Sequence, residues 1–73
     1  MLKIFFSDHA KRRARERGIT LASARLVILN PDLTLPAYDN LHRYRKLVKG
    51  KTIEVVISEQ KNKLVVVTLY YLS

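Results

Sequence analysis

The nine residues from Leu64 to Leu72 carry the strongest β signal in the chain, Val65-Val66-Val67 followed by Thr68, Tyr70 and Tyr71. β-Branched and aromatic side chains fit a pleated, half-buried surface. The run is far short of the roughly 20 apolar residues that a membrane helix needs. A strand this apolar belongs inside a sheet covered on at least one face. Strict alternation puts Leu64, Val66, Thr68, Tyr70 and Leu72 on one face, and Val65, Val67, Leu69 and Tyr71 on the other. The cover must come from a chain of only 73 residues, which allows a single domain, 1–73, with one thin core. There is no cysteine, so no disulfide staples the fold and no thiolate site exists.

The rest of the chain supplies that cover. Leu2 to Phe6 reads as a first strand. Ser7 is placed to cap a helix over Asp8–Arg17, with Asp8 complementing its dipole and Gly18 ending it. Ala10 and Ala14 give that helix a narrow small-residue stripe for close approach. Thr20 caps a second, far more apolar helix over Leu21–Leu29, with Ile19 able to staple onto Ala24. Asn30-Pro31-Asp32 stops it. Leu33-Thr34-Leu35 is weakly strand-like and blunted by Pro36, which suits an edge. After the Tyr38-Asp39-Asn40 loop, Leu41–Val48 and Lys51–Ser58 read as strands joined at Lys49-Gly50. On the second of these Ile53, Val55 and Ile57 share one face, and Thr52, Glu54, Val56 and Ser58 the other. Glu59–Lys63 reads as a polar turn. Short turns join antiparallel neighbours. The expected architecture is therefore α+β, in the order β-α-α-β-β-β(-β): an antiparallel sheet with two helices packed on one face.

Charge is the second constraint. The formal net charge is +8, and two short segments carry all of it. His9–Arg17 sums to +4, Leu41–Lys51 to +5, and the remainder to −1. Concentrated like charge opposes compaction, and it is put to use when a polyanion is the partner. The first segment has four Arg among its five cations, and the guanidinium fork matches phosphate oxygens. The plainer alternative is a solvated basic face that keeps a small protein soluble.

Helical spacing projects His9, Arg13 and Arg17 from roughly one side of the first helix. Alternation puts Arg43 and Arg45 on one strand face, and His42, Tyr44 and Lys46 on the other. Tyr44 offers a stacking ring among cations, or else a core ring with its hydroxyl at the rim. Thr68 and Tyr70 bring two hydroxyls near the chain end. Two distant histidines, scattered acids and no cysteine make no metal constellation, so neither metal nor cofactor is expected. No glycine-rich phosphate loop, nucleophile elbow or carboxylate pair is present. The remaining groups suit metal-free phosphodiester transfer, in which a 2′-hydroxyl attacks and cations stabilise the charge building on phosphorus.

His9-Ala10 followed by Arg13, then Arg17-Gly18-Ile19-Thr20, Asn30-Pro31-Asp32, Arg43-Tyr44-Arg45 and Val65-Val66-Val67-Thr68-Leu69-Tyr70 resemble domain of unknown function 4258. That group is placed in the RelE/ParE-like toxin superfamily, related to the barnase–colicin–RelE ribonuclease fold. The resemblance runs from about Phe6 to Tyr71. It implies a RelE-like domain and a metal-independent endoribonuclease, or mRNA interferase, acting on RNA that is often ribosome-bound mRNA. It also implies an acidic antitoxin partner, although some relatives poison gyrase or have no known activity. His9, Arg13, Arg17, Arg43, Thr68 and Tyr70 are the candidates it points to. The expected catalytic set is His9, Arg13, Arg43 and Tyr70, with Arg17, Arg45, Lys46, Lys49, Lys51, Tyr44 and Thr68 binding substrate.

Two further classes fit the same residues. One is a non-catalytic RNA- or DNA-binding module. The other is a protein-interaction domain whose cations meet an acidic chain, or whose Leu33–Leu35 or Leu64–Leu72 strand receives an added strand, from a second copy in a homodimer. No membrane partner is expected, and a chain that opens without a basic-then-apolar leader defaults to the cytoplasm.

Overall fold

Ser7 joins the first strand to the first helix and also fixes both to the last strand of the chain. In the computed structural model, which describes residues 3–72, its Oγ accepts from the Ala10 amide at 3.0 Å and so caps the helix that follows. Its amide donates to the Val66 carbonyl at 3.1 Å, and its hydroxyl to the Val67 carbonyl at 3.3 Å. A cap of this kind is worth roughly 1 kcal/mol.

The elements are β1 (Lys3–Phe6), α1 (Asp8–Arg17), α2 (Leu21–Leu29), β2 (Leu33–Pro36), β3 (Leu41–Val48), β4 (Lys51–Gln60) and β5 (Lys63–Tyr71). Both helices keep their expected bounds and caps. Gly18 closes α1 at φ 70, a left-handed conformation that disfavours any residue with a Cβ. Leu2 of the expected first strand lies outside the described residues. The polar turn after β4 is tighter than expected, because pairing continues to Gln60↔Lys63.

The five strands form one sheet in the order β1-β5-β4-β3-β2. Here the expectation of an antiparallel sheet is corrected. The pairs β2–β3, β3–β4 and β4–β5 are antiparallel, but β1 runs parallel to β5, with Phe5 opposite Val65. The short-turn argument holds only for strands joined by short turns. β1 reaches the rest of the chain through both helices, and a crossover of that length frees it to pair in parallel. β5 is thus flanked by strands on both sides over Lys63–Val66, beyond which Arg17 of α1 bonds the Leu69 carbonyl, whereas β2 is an edge. That edge is blunted: Pro36 has no amide hydrogen, and its carbonyl accepts from Arg43 Nη2 at 3.2 Å.

Both helices pack on the same side of the sheet. Ala10, Ala14, Ala24, Val27 and Ile28 meet Ile53, Val55 and Ile57 of β4 and Leu64, Val66 and Leu69 of β5 in one buried cluster. The β5 members of that cluster overturn the strict alternation. Val56 faces Thr68 while Ile57 faces Val66, so β5 carries one extra residue, Val67, as a bulge. A bulge shifts the side-chain phase by one and leaves ladder groups unpaired. Here Ser7 takes up the Val66 and Val67 carbonyls. Before the bulge Leu64 and Val66 face the helices; after it Leu69 and Tyr71 do. Thr68 and Tyr70 move to the opposite, helix-free face.

Candidate functional site on the open sheet face

The β3–β4 hairpin turns through Lys49 (φ 51) and Gly50 (φ 81). A two-residue turn with both φ positive matches strand twist and fixes the register. Arg45 therefore sits opposite Glu54, and Arg43 opposite Val56. β5 continues the rows, with Tyr70 opposite Glu54 and Thr68 opposite Val56. Arg43, Arg45, Glu54, Val56, Thr68 and Tyr70 thus share the face away from the helices.

Glu54 is only 2% exposed. Arg45 donates to its Oε1 from Nε at 3.0 Å and from Nη2 at 2.7 Å, and Tyr70 donates its hydroxyl to Oε2. Burial pushes the Glu54 carboxyl up. The Tyr70 hydroxyl, the Arg45 guanidinium and the Arg43 charge together outweigh burial and hold it below its ordinary 4.5. Burial, then the bond to Glu54, pushes the Tyr70 hydroxyl from 10.0 up to about 12. Across the core, burial and a 2.8 Å bond to Glu59 likewise push Tyr44 up to about 12.

These shifts fix a pH window. A carboxyl with a lowered folded pKa contributes stability that is present above 4.5 and lost as pH falls through the folded value. A tyrosine raised in the fold contributes below 10, and that contribution is lost as pH climbs from 10 towards 12. Urea midpoints should therefore be flat between about pH 5 and 9 and fall on both sides. Glu54→Gln should flatten the acid limb. An acid limb unchanged by Glu54→Gln would contradict the assignment.

Beside this network lies an open cleft of about 610 Å³, lined by Pro36, Ala37, Tyr38, Leu41, Arg43, Val56 and Tyr70. The β2–β3 loop forms its rim. Asp39 (φ 59) and Asn40 (φ 60) make the tight turn that leaves Tyr38 86% exposed. Arg43 is in no salt bridge among the described residues. Its Nη2 donates to the Pro36 carbonyl, and its buried Nε has no partner. Two guanidinium groups thus face one carboxylate, and Arg45 takes up that carboxylate.

Of the expected catalytic set, the fold brings together Arg43 and Tyr70. His9 and Arg13 do not join them: they project from α1, on the side of the sheet that the helices cover. His9 is exposed, and Arg13 pairs with Glu16 at 2.9 Å. Arg17 donates to the Leu69 carbonyl at 3.3 Å. Tyr44 packs against the core, which is the core-ring alternative. Lys46 pairs with Asp32 at 3.2 Å. The Leu47 amide, and then Lys46, hold that aspartate below the usual carboxylate range. Lys49 and Lys51 lie at the far end of the sheet from Arg43. Glu54 and Tyr38 were not singled out from the sequence. The Lys49-Gly50 turn carried the signal for Glu54, since it fixes the Arg45–Glu54 pair.

Fold and site together define a small α+β domain that presents a cation and two tyrosines in a cleft on the open face of a mixed sheet. The family described as domain of unknown function (DUF4258) matches residues 6–71, and the chain belongs to that family. No curated protein and no solved structure matches it.

Proposed function

We propose that this chain is a RelE-like, toxin-type domain that holds RNA in the open-face cleft and cleaves its phosphodiester backbone without a metal. The observation behind it is Arg43, a cation in no salt bridge among the described residues, standing beside Tyr70 in a concave wall. Arg43 grips the scissile phosphate and stabilises its developing charge. Tyr38 offers its exposed ring to an unpaired base. The 2′-hydroxyl attacks phosphorus. Its proton passes to the Tyr70 oxygen as the Tyr70 proton moves to Glu54, and the 5′-oxygen leaves with a proton from solvent. An acidic antitoxin chain laid over the cleft would hold the domain inactive.

One observation favours a second reading, non-catalytic RNA binding: Arg45, Glu54 and Tyr70 already satisfy one another. Incubation with single-stranded RNA in excess chelator separates the two. Cleavage leaving 2′,3′-cyclic phosphate ends is expected. RNA bound but intact would leave the binding reading, and RNA neither bound nor cut would end both.

A further inference from the structure

A second concavity, about 280 Å³, lies where the α1–α2 corner meets the tip of the β3–β4 hairpin. Gly18, Thr20, Ser23, Lys49, Lys51 and Tyr71 supply its polar lining, and among the described residues no carboxylate lines it. Three parts of the chain set its chemistry. The hairpin turn projects Lys49 and Lys51 from either side of Gly50, and neither is in a salt bridge among the described residues. The Lys51 Nζ is held 5.0 Å from the Tyr71 ring centroid, which brings an ammonium to the pocket wall. Thr20 donates its hydroxyl to Ser23 Oγ at 3.0 Å, which leaves the Ser23 hydroxyl hydrogen uncommitted. Two ammonium groups and a free hydroxyl donor, with no acid beside them among the described residues, match the oxygens of a phosphate group.

We propose that this corner is a second anion pocket, taking a phosphate group, separate from the Arg43 cleft. Val48, in its wall, is five residues along β3 from Arg43, roughly 17 Å at strand rise. Thr20, Ser23 and Tyr71 belong to the helix-covered side, whereas Arg43 faces the other way. A phosphate next to one gripped at Arg43 cannot reach it, so the pocket binds its own ligand. That ligand is a free phosphate or the terminal phosphate of a nucleotide.

Backbone amide NMR tests the proposal on the whole chain, with inorganic phosphate and a 5′-phosphorylated oligonucleotide titrated separately at constant ionic strength. Saturable shifts at Gly18, Ser23, Lys49 and Lys51 are expected, and the titrant that saturates at lower concentration names the source. The double variant Lys49→Gln/Lys51→Gln, on exposed side chains, should weaken binding at least tenfold. Arg43→Ala should leave the inorganic-phosphate shifts at those four amides unchanged. Absence of saturable shifts with both titrants, or shifts indifferent to the double variant, would overturn the pocket and leave the RNA reading standing. Loss of RNA cleavage alone would do the reverse.

Discussion

Arg43→Ala is expected to cut RNA at least about 100-fold more slowly than the unaltered protein, with binding weakened as well. Removing one preorganised group that stabilises transition-state charge typically costs 10²–10³ in rate. Arg43 is the cation among the lining residues of the cleft and is in no salt bridge among the described residues, so no other lining residue replaces it. Arg45 is committed to Glu54 through two donors. Tyr70→Phe should match the loss in rate while keeping affinity within about threefold, because it removes the proton path and not the phosphate grip. His9→Ala should change the rate less than about threefold, since α1 lies across the sheet from the cleft. Rates from a labelled oligoribonucleotide in chelator check all three. A His9→Ala loss as large as that of Arg43→Ala would return the chemistry to the helix.

Glu54→Ala should lower the unfolding free energy by about 2–4 kcal/mol, because it strands an arginine and a tyrosine hydroxyl that the carboxylate now satisfies. Arg45 is 31% exposed and can turn partly to water, which keeps the cost below that of a fully enclosed pair. At 0.05–0.15 kcal/mol per residue a domain of this size has roughly 4–11 kcal/mol in all, so the loss is a large fraction. Replacing both partners, Arg45→Met with Glu54→Leu, should cost less than Glu54→Ala alone, since no charge is then left buried. Urea denaturation gives all three values. A Glu54→Ala midpoint equal to that of the unaltered protein would show that the network carries no stability.

The local elements were legible because each has a local cause. Ser7 and Gly18 bracket α1, Thr20 opens α2, and Lys49-Gly50 closes the β3–β4 hairpin. Two features of the sheet have no local cause. The parallel pairing of β1 depends on where a two-helix crossover returns the chain. The Val67 bulge depends on Ser7, 60 residues away in sequence, accepting the role of partner for two freed carbonyls. Strict alternation assigned Thr68 and Tyr70 to the face of Leu64 and Val66; one extra residue reverses that and delivers Tyr70 to Glu54. The charge segments were plain in the sequence, but their directions were not. Helical and strand periodicity say which cations share a face of one element, and only the packing of α1 against β5 shows that its cations and Arg43 look to opposite sides.

The most direct test follows backbone amides while a short single-stranded oligoribonucleotide is added to the intact chain. The largest shifts are expected at Tyr38, Arg43, Val56 and Tyr70, all abolished by Arg43→Ala. Largest shifts along Lys11 to Arg17, unaffected by Arg43→Ala, would contradict it.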